Sequence, residues 1–474
     1  KLPEFTGRKA FFFESGEEPP LKDYLGGKKF DIISIMEGDK FMTTVAISTL
    51  GCKVNAYESE STAQALRQRG YQTVDFKEKA DVYIIFTCAV TNTAASKSRQ
   101  KIHQARRQNP DALVCAVGCY VQIHAEQMSE QEKIDLLIGS SGKDKLPQLI
   151  DQALQQRQVP IVPIQDVRQV AEFEMLPLDE FEHQTRAYLK VQDGCNQFCA
   201  YCIIPYARGR ERSLPLDEAL QEARRLAQKH KEIVLAGIHT GRYGKDRNTS
   251  LTELIRGMGS IESLKRIRIS SIEITEITDE LLELMEKQPK IARHLHIPLQ
   301  AGCDATLKRM GRPYTTQQFL QRVEEIRARI EGISISTDLI VGFPQESDEE
   351  FAATMAFLKQ IRFSFCHVFP FSAKTGTPAQ RMSGQVPANI KKQRAQEVGD
   401  FSRSSYYEVK SRWIGKAVDV LIETCENGVS FGHSSEYLPV QVEGQWVSGQ
   451  LVRACCTHMI GDQLVAQAQG GQEK

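Results

Sequence analysis

Asp193-Gly194-Cys195-Asn196-Gln197-Phe198-Cys199-Ala200-Tyr201-Cys202 sets three cysteines close together, directly after the strand-like run Tyr188–Val191. Three thiolates at this spacing suit a soft, multi-iron cluster. Three ligands on a four-iron cube leave one iron open. An open iron can chelate a small molecule and pass it an electron, which a fourth cysteine would block. The alternative is structural zinc, but a tetrahedral site wants a fourth protein ligand nearby and usually two-residue gaps. No cysteine or histidine occurs between Cys202 and His230.

Downstream, strand-like runs recur at Ile233–Leu235, Ile267–Ser270, His294–Ile297, Ile335–Ile340 and Phe365–Phe369. Helical patterns fall between them, as at Leu216–Lys229, Thr316–Ile330 and Asp348–Leu358. Counting Tyr188–Val191, these make six βα units, two short of a full barrel, so an open, partial barrel is expected. The three cysteines then sit at the carboxyl end of its first strand, where barrel active sites form. Upstream, strands at Val45–Thr49, Val82–Phe86, Ala112–Val117 and Leu136–Ile138 alternate with helices at Tyr57–Arg69, Ala94–Arg107 and Lys145–Gln156. That alternation predicts a parallel sheet covered on both faces. A helical connector over Pro387–Lys410 precedes short strands with glycine turns after Trp413, the texture of a small OB-like β-barrel.

The expected fold class is therefore α/β, with an open parallel sheet over 42–160, a six-unit partial barrel over 181–410 and a small barrel over 411–474. Residues 1–41 lack clear periodicity. Met42 reads as a start codon inside the numbering, so 1–41 are expected to be an extension, a tag or a misplaced start.

The length of 474 residues exceeds what one core sustains, and two or three domains follow. Sixty basic residues balance sixty acidic ones, which argues against blanket nucleic-acid affinity but leaves room for basic patches. No apolar run reaches the length of a membrane span, and no secretory h-region follows Phe11–Phe13. The expected location is the cytoplasm, where twelve cysteines point to metal or catalytic roles before disulfides.

A second cysteine set is spaced more widely. Leu50-Gly51-Cys52, Phe86-Thr87-Cys88 and Val117-Gly118-Cys119 each lie just past a strand. Carboxyl ends of strands in an open α/β sheet line one crevice. Three thiols there fit a second cluster; three buried apolar cysteines are the alternative. Cys115, inside its strand, reads as core. Cys303, Cys366, Cys425, Cys455 and Cys456 have no ligand-like spacing and read as packing residues.

With both sets in view, the sequence from about Met42 to Asp462 resembles the radical-SAM methylthiotransferase family. That family joins a three-cysteine α/β domain, a radical-SAM partial barrel and a C-terminal TRAM domain. The resemblance implies two 4Fe-4S clusters, one on Cys195, Cys199 and Cys202, the other on Cys52, Cys88 and Cys119, together with S-adenosyl-L-methionine. Leu50-Gly51-Cys52-Lys53-Val54-Asn55, Ile203 to Arg210 and Ser270-Ser271-Ile272-Glu273 are most similar to the branch that modifies threonylcarbamoyl-adenosine in tRNA. Branches acting on isopentenyladenosine or on a ribosomal-protein aspartate are the rivals. A non-catalytic iron–sulfur RNA-binding protein is the rival of a different class. Gln345 after Pro344 and Cys303 in Ala301-Gly302-Cys303-Asp304 depart from the family pattern.

The resemblance implies reductive cleavage of S-adenosylmethionine, hydrogen abstraction from carbon 2 of the adenine, and transfer of a methylthio group assembled at the second cluster. It also implies an electron donor such as flavodoxin or ferredoxin. Tyr201 matches the family's aromatic beside the adenine of the cofactor. Gly237, Thr240 and Gly241 would serve the methionine end, with Gly allowing close backbone approach. Ser271 and Glu273 would serve the ribose and amino group, and Gln300, Asp338 and Phe369 occupy the same barrel edge. For tRNA, basic residues at Arg208, Arg210, Arg309, Arg312, Arg412, Lys416 and Arg453 make phosphate contacts plausible, although each cluster alone reads as a solvated face.

Overall fold

A computed structural model describes residues 42–131, 134–156 and 163–469; the expected extension at 1–41 lies outside the described residues. The first layer is a five-stranded sheet of β1 (Thr44–Thr49), β2 (Gln72–Val74), β3 (Val82–Thr87), β4 (Leu113–Gly118) and β5 (Leu136–Ile138). Its order is β2-β1-β3-β4-β5, and every pairing is parallel. Helices α1 (Lys53–Gln68), α2 (Asn92–Gln108), α3 (Cys119–Gln131) and α4 (Leu146–Gln156) cover it. Alternate residues of β3 feed two cores: Tyr83 and Ile85 face one, Val82, Ile84 and Phe86 the other. That is the two-sided burial expected when helices lie on both faces of a parallel sheet. Cys115 sits in the second core, fully buried.

The structure adds elements that periodicity did not reveal. Helix α1 starts four residues before Tyr57, and its first two turns bury polar side chains, Asn55 and Glu58 among them. Strand β2, Gln-Thr-Val, is a short edge strand with little apolar signal. Helix α3 begins at Cys119 itself and kinks at His124.

The second unit carries β6 (Ala187–Lys190), a two-strand ribbon of β7 (Gln192–Asp193) and β8 (Arg212–Ser213), then β9 (Glu232–Ala236), β10 (Arg266–Ile269), β11 (His294–His296), β12 (Ser334–Val341) and β13 (Phe365–Pro370). Sheets β6-β9-β10 and β11-β12-β13 are parallel. Parallel bridges Ile267↔Ile291 and Ser271↔His296 join them across the seam. The six strands thus follow chain order in one open curve, the partial barrel expected. Helix α5 (Ile204–Arg208) follows the cysteine loop and packs on α3.

The long helix Ala388–Ser411 leads to β14 (Ala417–Glu426), β15 (Val429–Ser434), β16 (Pro439–Glu443), β17 (Leu451–Ile460) and β18 (Gln463–Ala468). These form a closed barrel in the order β14-β15-β16-β18-β17, with β16 and β18 parallel. Val420, Ile422, Val440, Val442, Ala454 and Leu464 fill it, all fully buried. Among the described residues no helix is long and apolar enough to cross a membrane.

Two arginines of β10 hold this barrel on the larger one. Arg266 donates to the carbonyls of Asp419 at 2.7 Å and His433 at 3.3 Å; Arg268 donates to those of Ser434 and Ser435 at 3.1 Å each. Both also pair with the buried carboxylate of Glu232. Burial opposes the charge on Glu232, but Arg268, Arg266 and Arg186 override it and hold the group down to about 2. A lowered carboxylate stabilises the fold fully above its ordinary 4.5, and that stability is lost as pH falls through 2. Glu232→Gln is therefore expected to destabilise by on the order of 3 kcal/mol at pH 7. Urea unfolding at a series of pH values should show the gap to the parent narrowing below 4.5; a gap that stays constant with pH would contradict the ionised pairing.

Candidate active site at two cysteine loops

Parallel register brings the second cysteine set together. Thr49 of β1 lies level with Phe86 of β3, and Thr87 of β3 level with Gly118 of β4, so the following residues emerge on one edge. Asn55 clamps these ends, donating to the carbonyls of Leu50 at 2.7 Å and Thr87 at 3.0 Å. Gly51, at φ 98°, lies so close to Cys88 that a Cβ there would come within 2.9 Å of its Cβ and Sγ. Any larger residue would push the Cys52 and Cys88 loops apart. Burial, then the charges of Cys119 and Cys52, push the Cys88 thiol up to about 12. The three cysteines thus lie close enough to feel one another, as a shared set of metal-ligating thiols would.

The first set turns through Phe198, whose backbone is left-handed at φ 46°. Cys202 N–H donates to the Cys199 carbonyl at 2.9 Å, and Cys195 N–H to the Gly209 carbonyl at 3.0 Å. Burial is the main cause that drives the Cys202 thiol up to about 12, with Cys199 and Cys195 adding to it. Again three thiols share one space. Cys195 Sγ also lies 3.5 Å from His239 Nδ1, and a Glu211 carboxylate completes a group of ligand-type atoms within 4.8 Å. The thiol belongs to the cysteine loop, so His239 and Glu211 stand as its polar surround. His239 lies between Gly237 and Thr240, and nothing in its spacing marks it as a neighbour of the cysteine loop.

The expected cofactor residues divide. Thr240 Oγ1 meets Ser270 Oγ at 2.9 Å. Gly237 faces Gln192, and a Cβ on Gly241 would collide with Glu276 Oε2 at 2.3 Å. Glu273 pairs with Arg312, whose Nη1 donates to Cys199 Sγ at 3.3 Å, beside Tyr201. Gln300, left-handed at φ 69°, and Asp338 are tied by a backbone bond of 2.9 Å, and Asp338 pairs with His296 at 3.2 Å. Ser271 is exposed on the seam, and Phe369 lies half-buried opposite Ile340; among the described residues neither has a side-chain hydrogen bond that joins it to this group.

Two residues expected to face RNA are corrected. Arg312 is buried against Cys199, Glu273 and Tyr314, inside the site. Arg208 is fully buried between the two cysteine loops. Its guanidinium donates to Cys119 Sγ at 3.1 Å, Asn55 Oδ1 at 2.7 Å, Glu58 Oε1 at 2.7 Å and Asp193 Oδ2 at 3.3 Å. Neither can reach a phosphate. Arg210, Arg412, Lys416 and Arg453 are exposed, Arg453 paired with Asp419, and Arg309 is half-buried against Glu350.

Around Arg208 lies a buried charge network that the sequence did not disclose. Lys190 bridges Glu58 at 2.7 Å and Asp193 at 2.8 Å; Lys143 bridges Glu58 at 3.4 Å and Glu174 at 2.9 Å; Arg212 approaches Asp193 at 3.7 Å. Burial disfavours the Glu58 carboxylate, yet Arg208, Lys143 and Lys190 hold it down to about 2. Four cations face three carboxylates here, and the excess positive charge points at Cys119. Removing one member of a buried pair leaves its partners' charges uncompensated. Arg208→Met is expected to cost about 3 kcal/mol, whereas Arg210→Met at the surface should change stability by under about 0.5 kcal/mol. Chemical unfolding of the two variants side by side decides this; a loss for Arg208→Met as small as that expected for Arg210→Met would show that the network is dispensable.

Comparison with known proteins agrees with this geometry. Residues 44–139 match the Uncharacterized protein family UPF0004, and residues 189–358 match the Radical SAM superfamily. Threonylcarbamoyladenosine tRNA methylthiotransferase MtaB of Bacillus subtilis is 42% identical over 411 residues, spanning 85% of this chain and 91% of that protein. The protein of the same name from Aquifex aeolicus is 37% identical over 86% of this chain and 99% of its own length. The tRNA-2-methylthio-N(6)-dimethylallyladenosine synthase of Acetivibrio thermocellus is 36% identical over 80% of each chain. This chain belongs to the radical-SAM tRNA methylthiotransferase family, an enzyme family whose cofactors are S-adenosylmethionine and 4Fe-4S clusters.

Proposed function

We propose that this enzyme adds a methylthio group to carbon 2 of threonylcarbamoyl-adenosine next to the anticodon of tRNA. The observation that carries the reading is the meeting of two three-cysteine loops across one domain junction. Arg208 touches Cys119 on one side and Asp193, two residues before Cys195, on the other. Higher identity to the threonylcarbamoyladenosine enzyme than to the dimethylallyladenosine synthase favours the first substrate.

In this reading Cys195, Cys199 and Cys202 hold the cluster that binds S-adenosylmethionine, and Cys52, Cys88 and Cys119 hold the second. When bound, these groups supply the one-electron chemistry and the methylthio group. The protein's own residues position and shield. Arg312, fixed by Glu273 and Tyr314, places a positive charge against Cys199 Sγ. Arg208 does the same at Cys119. Thr240, Glu273 and Asp338 offer polar groups at the carboxyl edge of the barrel strands, and Tyr201 offers an aromatic face between two ligand cysteines.

We read 42–160 as the methylthiotransferase domain, 181–410 as the radical-SAM core and 411–474 as a TRAM-type domain that grips RNA. Arg210, Arg412, Lys416 and Arg453 remain available for phosphate contacts. The electron donor fits a flavodoxin or a ferredoxin, and the setting is the cytoplasm.

The anaerobically reconstituted protein should carry about eight irons, as two four-iron clusters require. Replacing Cys195, Cys199 and Cys202 together by Ala should leave about four. Mass spectrometry of nucleosides from tRNA incubated with the parent should show the methylthio product on threonylcarbamoyl-adenosine. Product on dimethylallyl-adenosine alone would overturn the substrate, and full iron in the triple variant would overturn the ligand assignment.

A further inference from the structure

A cavity of about 220 Å³ opens between α2, α3, the start of α5 and the loop carrying Lys374. Its wall includes Ala89, Tyr120 and Ile203, the residues that directly follow Cys88, Cys119 and Cys202. It therefore adjoins both cysteine loops at once. Sites for whole drug-sized ligands run from about 300 Å³ upward, so this space suits a side group and not an entire nucleoside.

The remaining lining is largely neutral, with Arg99 and Lys374 as its two cations and His124 between small and polar residues. Arg99 Nη1 donates to Tyr120 Oη at 2.7 Å, with the guanidinium 5.8 Å from the ring centroid, so its position is fixed, and its other donors meet no acceptor among the described residues. Lys374 Nζ donates to Asn92 Oδ1 at 2.8 Å, and the residue is only 7% exposed. Arg67, Arg69 and Arg106 in the same domain each hold a carboxylate. Among the described residues no carboxylate pairs with Arg99 or Lys374. Asn92 also opens α2, whose free N–H groups add positive potential on this side. Burial holds Lys374 down to about 8.

We infer that this cavity is the subsite for an anionic oxygen group carried by the substrate base, with Arg99 and Lys374 binding its carboxylate. The inference rests on the substrate reading above: the threonylcarbamoyl group ends in a free carboxylate, whereas a dimethylallyl group is wholly apolar. Two fixed cations beside both cysteine loops would draw the acid in and leave the apolar group facing unpaired charge, which penalises it. An RNA phosphate offers the same anionic chemistry, so the test separates the two.

Anticodon stem-loop RNAs bearing threonylcarbamoyl-adenosine, its carboxamide or plain adenosine are titrated against the reconstituted parent, Arg99→Gln, Lys374→Gln and Arg99→Lys. The parent should bind the acid about tenfold more tightly than the carboxamide. Both Gln variants should lose that preference while binding plain RNA as the parent does, and Arg99→Lys should keep part of it. Iron content equal to the parent's confirms intact variants, since neither residue is a cluster ligand. Equal loss for all three RNAs would assign the cations to backbone phosphate, and an undiminished preference in both Gln variants would place the carboxylate elsewhere; either overturns the inference. Methylthio transfer by the parent to threonylcarbamoyl-adenosine, measured on the same RNAs, shows separately whether the substrate reading stands.

Discussion

Arg208 is the point through which the two halves of the site are joined. Its fully buried guanidinium is held by Glu58 and Asn55 of α1 and by Asp193 of β7, and it donates to Cys119. A buried charge is tolerated only when its partners are placed to meet it. The sheet domain and the partial barrel must therefore dock in the one arrangement that satisfies all of these groups. Glu174, from the segment between the domains, is drawn into the same network through Lys143. The orientation of the two cysteine loops toward each other follows from electrostatics at this junction more than from apolar packing.

The same device recurs at each level of the molecule. Arg312 joins Cys199 to Glu273 within the barrel edge, and Arg266 and Arg268 join Glu232 to the C-terminal barrel. In each case a planar, multi-donor side chain reaches several acceptors that belong to different elements. A lysine offers no such fork, and Lys190 and Lys143 accordingly act as point charges between carboxylates. At the cavity beside the cysteines, Arg99 and Lys374 pair with no carboxylate among the described residues, and this contrast sets the cavity apart.

Much of the site was legible because its chemistry is local. Cys195, Cys199 and Cys202 are close in sequence, and their spacing alone carries their meaning. Cys52, Cys88 and Cys119 are far apart, yet each follows a recognisable strand, and parallel pairing brings such positions to one edge. The buried polar start of α1 was not legible, because Asn55 and Glu58 read as surface until the second domain covers them. Arg208 and Arg312 failed for the same reason. An arginine in a run such as Tyr206-Ala207-Arg208-Gly209-Arg210 looks solvated, and nothing local distinguishes the one that is buried from the one that is exposed.

The sequence by itself determined the order of strands and helices, the two cysteine sets and the change to short strands after Trp413. These depend on hydrophobic period, turn residues and ligand spacing, all of which are properties of neighbouring residues. Tertiary structure alone decided which charged residues are interior, how the two cysteine loops face each other, and where a cavity bearing Arg99 and Lys374 opens beside them. Those outcomes depend on desolvation and on the pairing of groups as distant as Glu58 and Arg208, and a charge reveals whether it is buried only when its partners have come together in space.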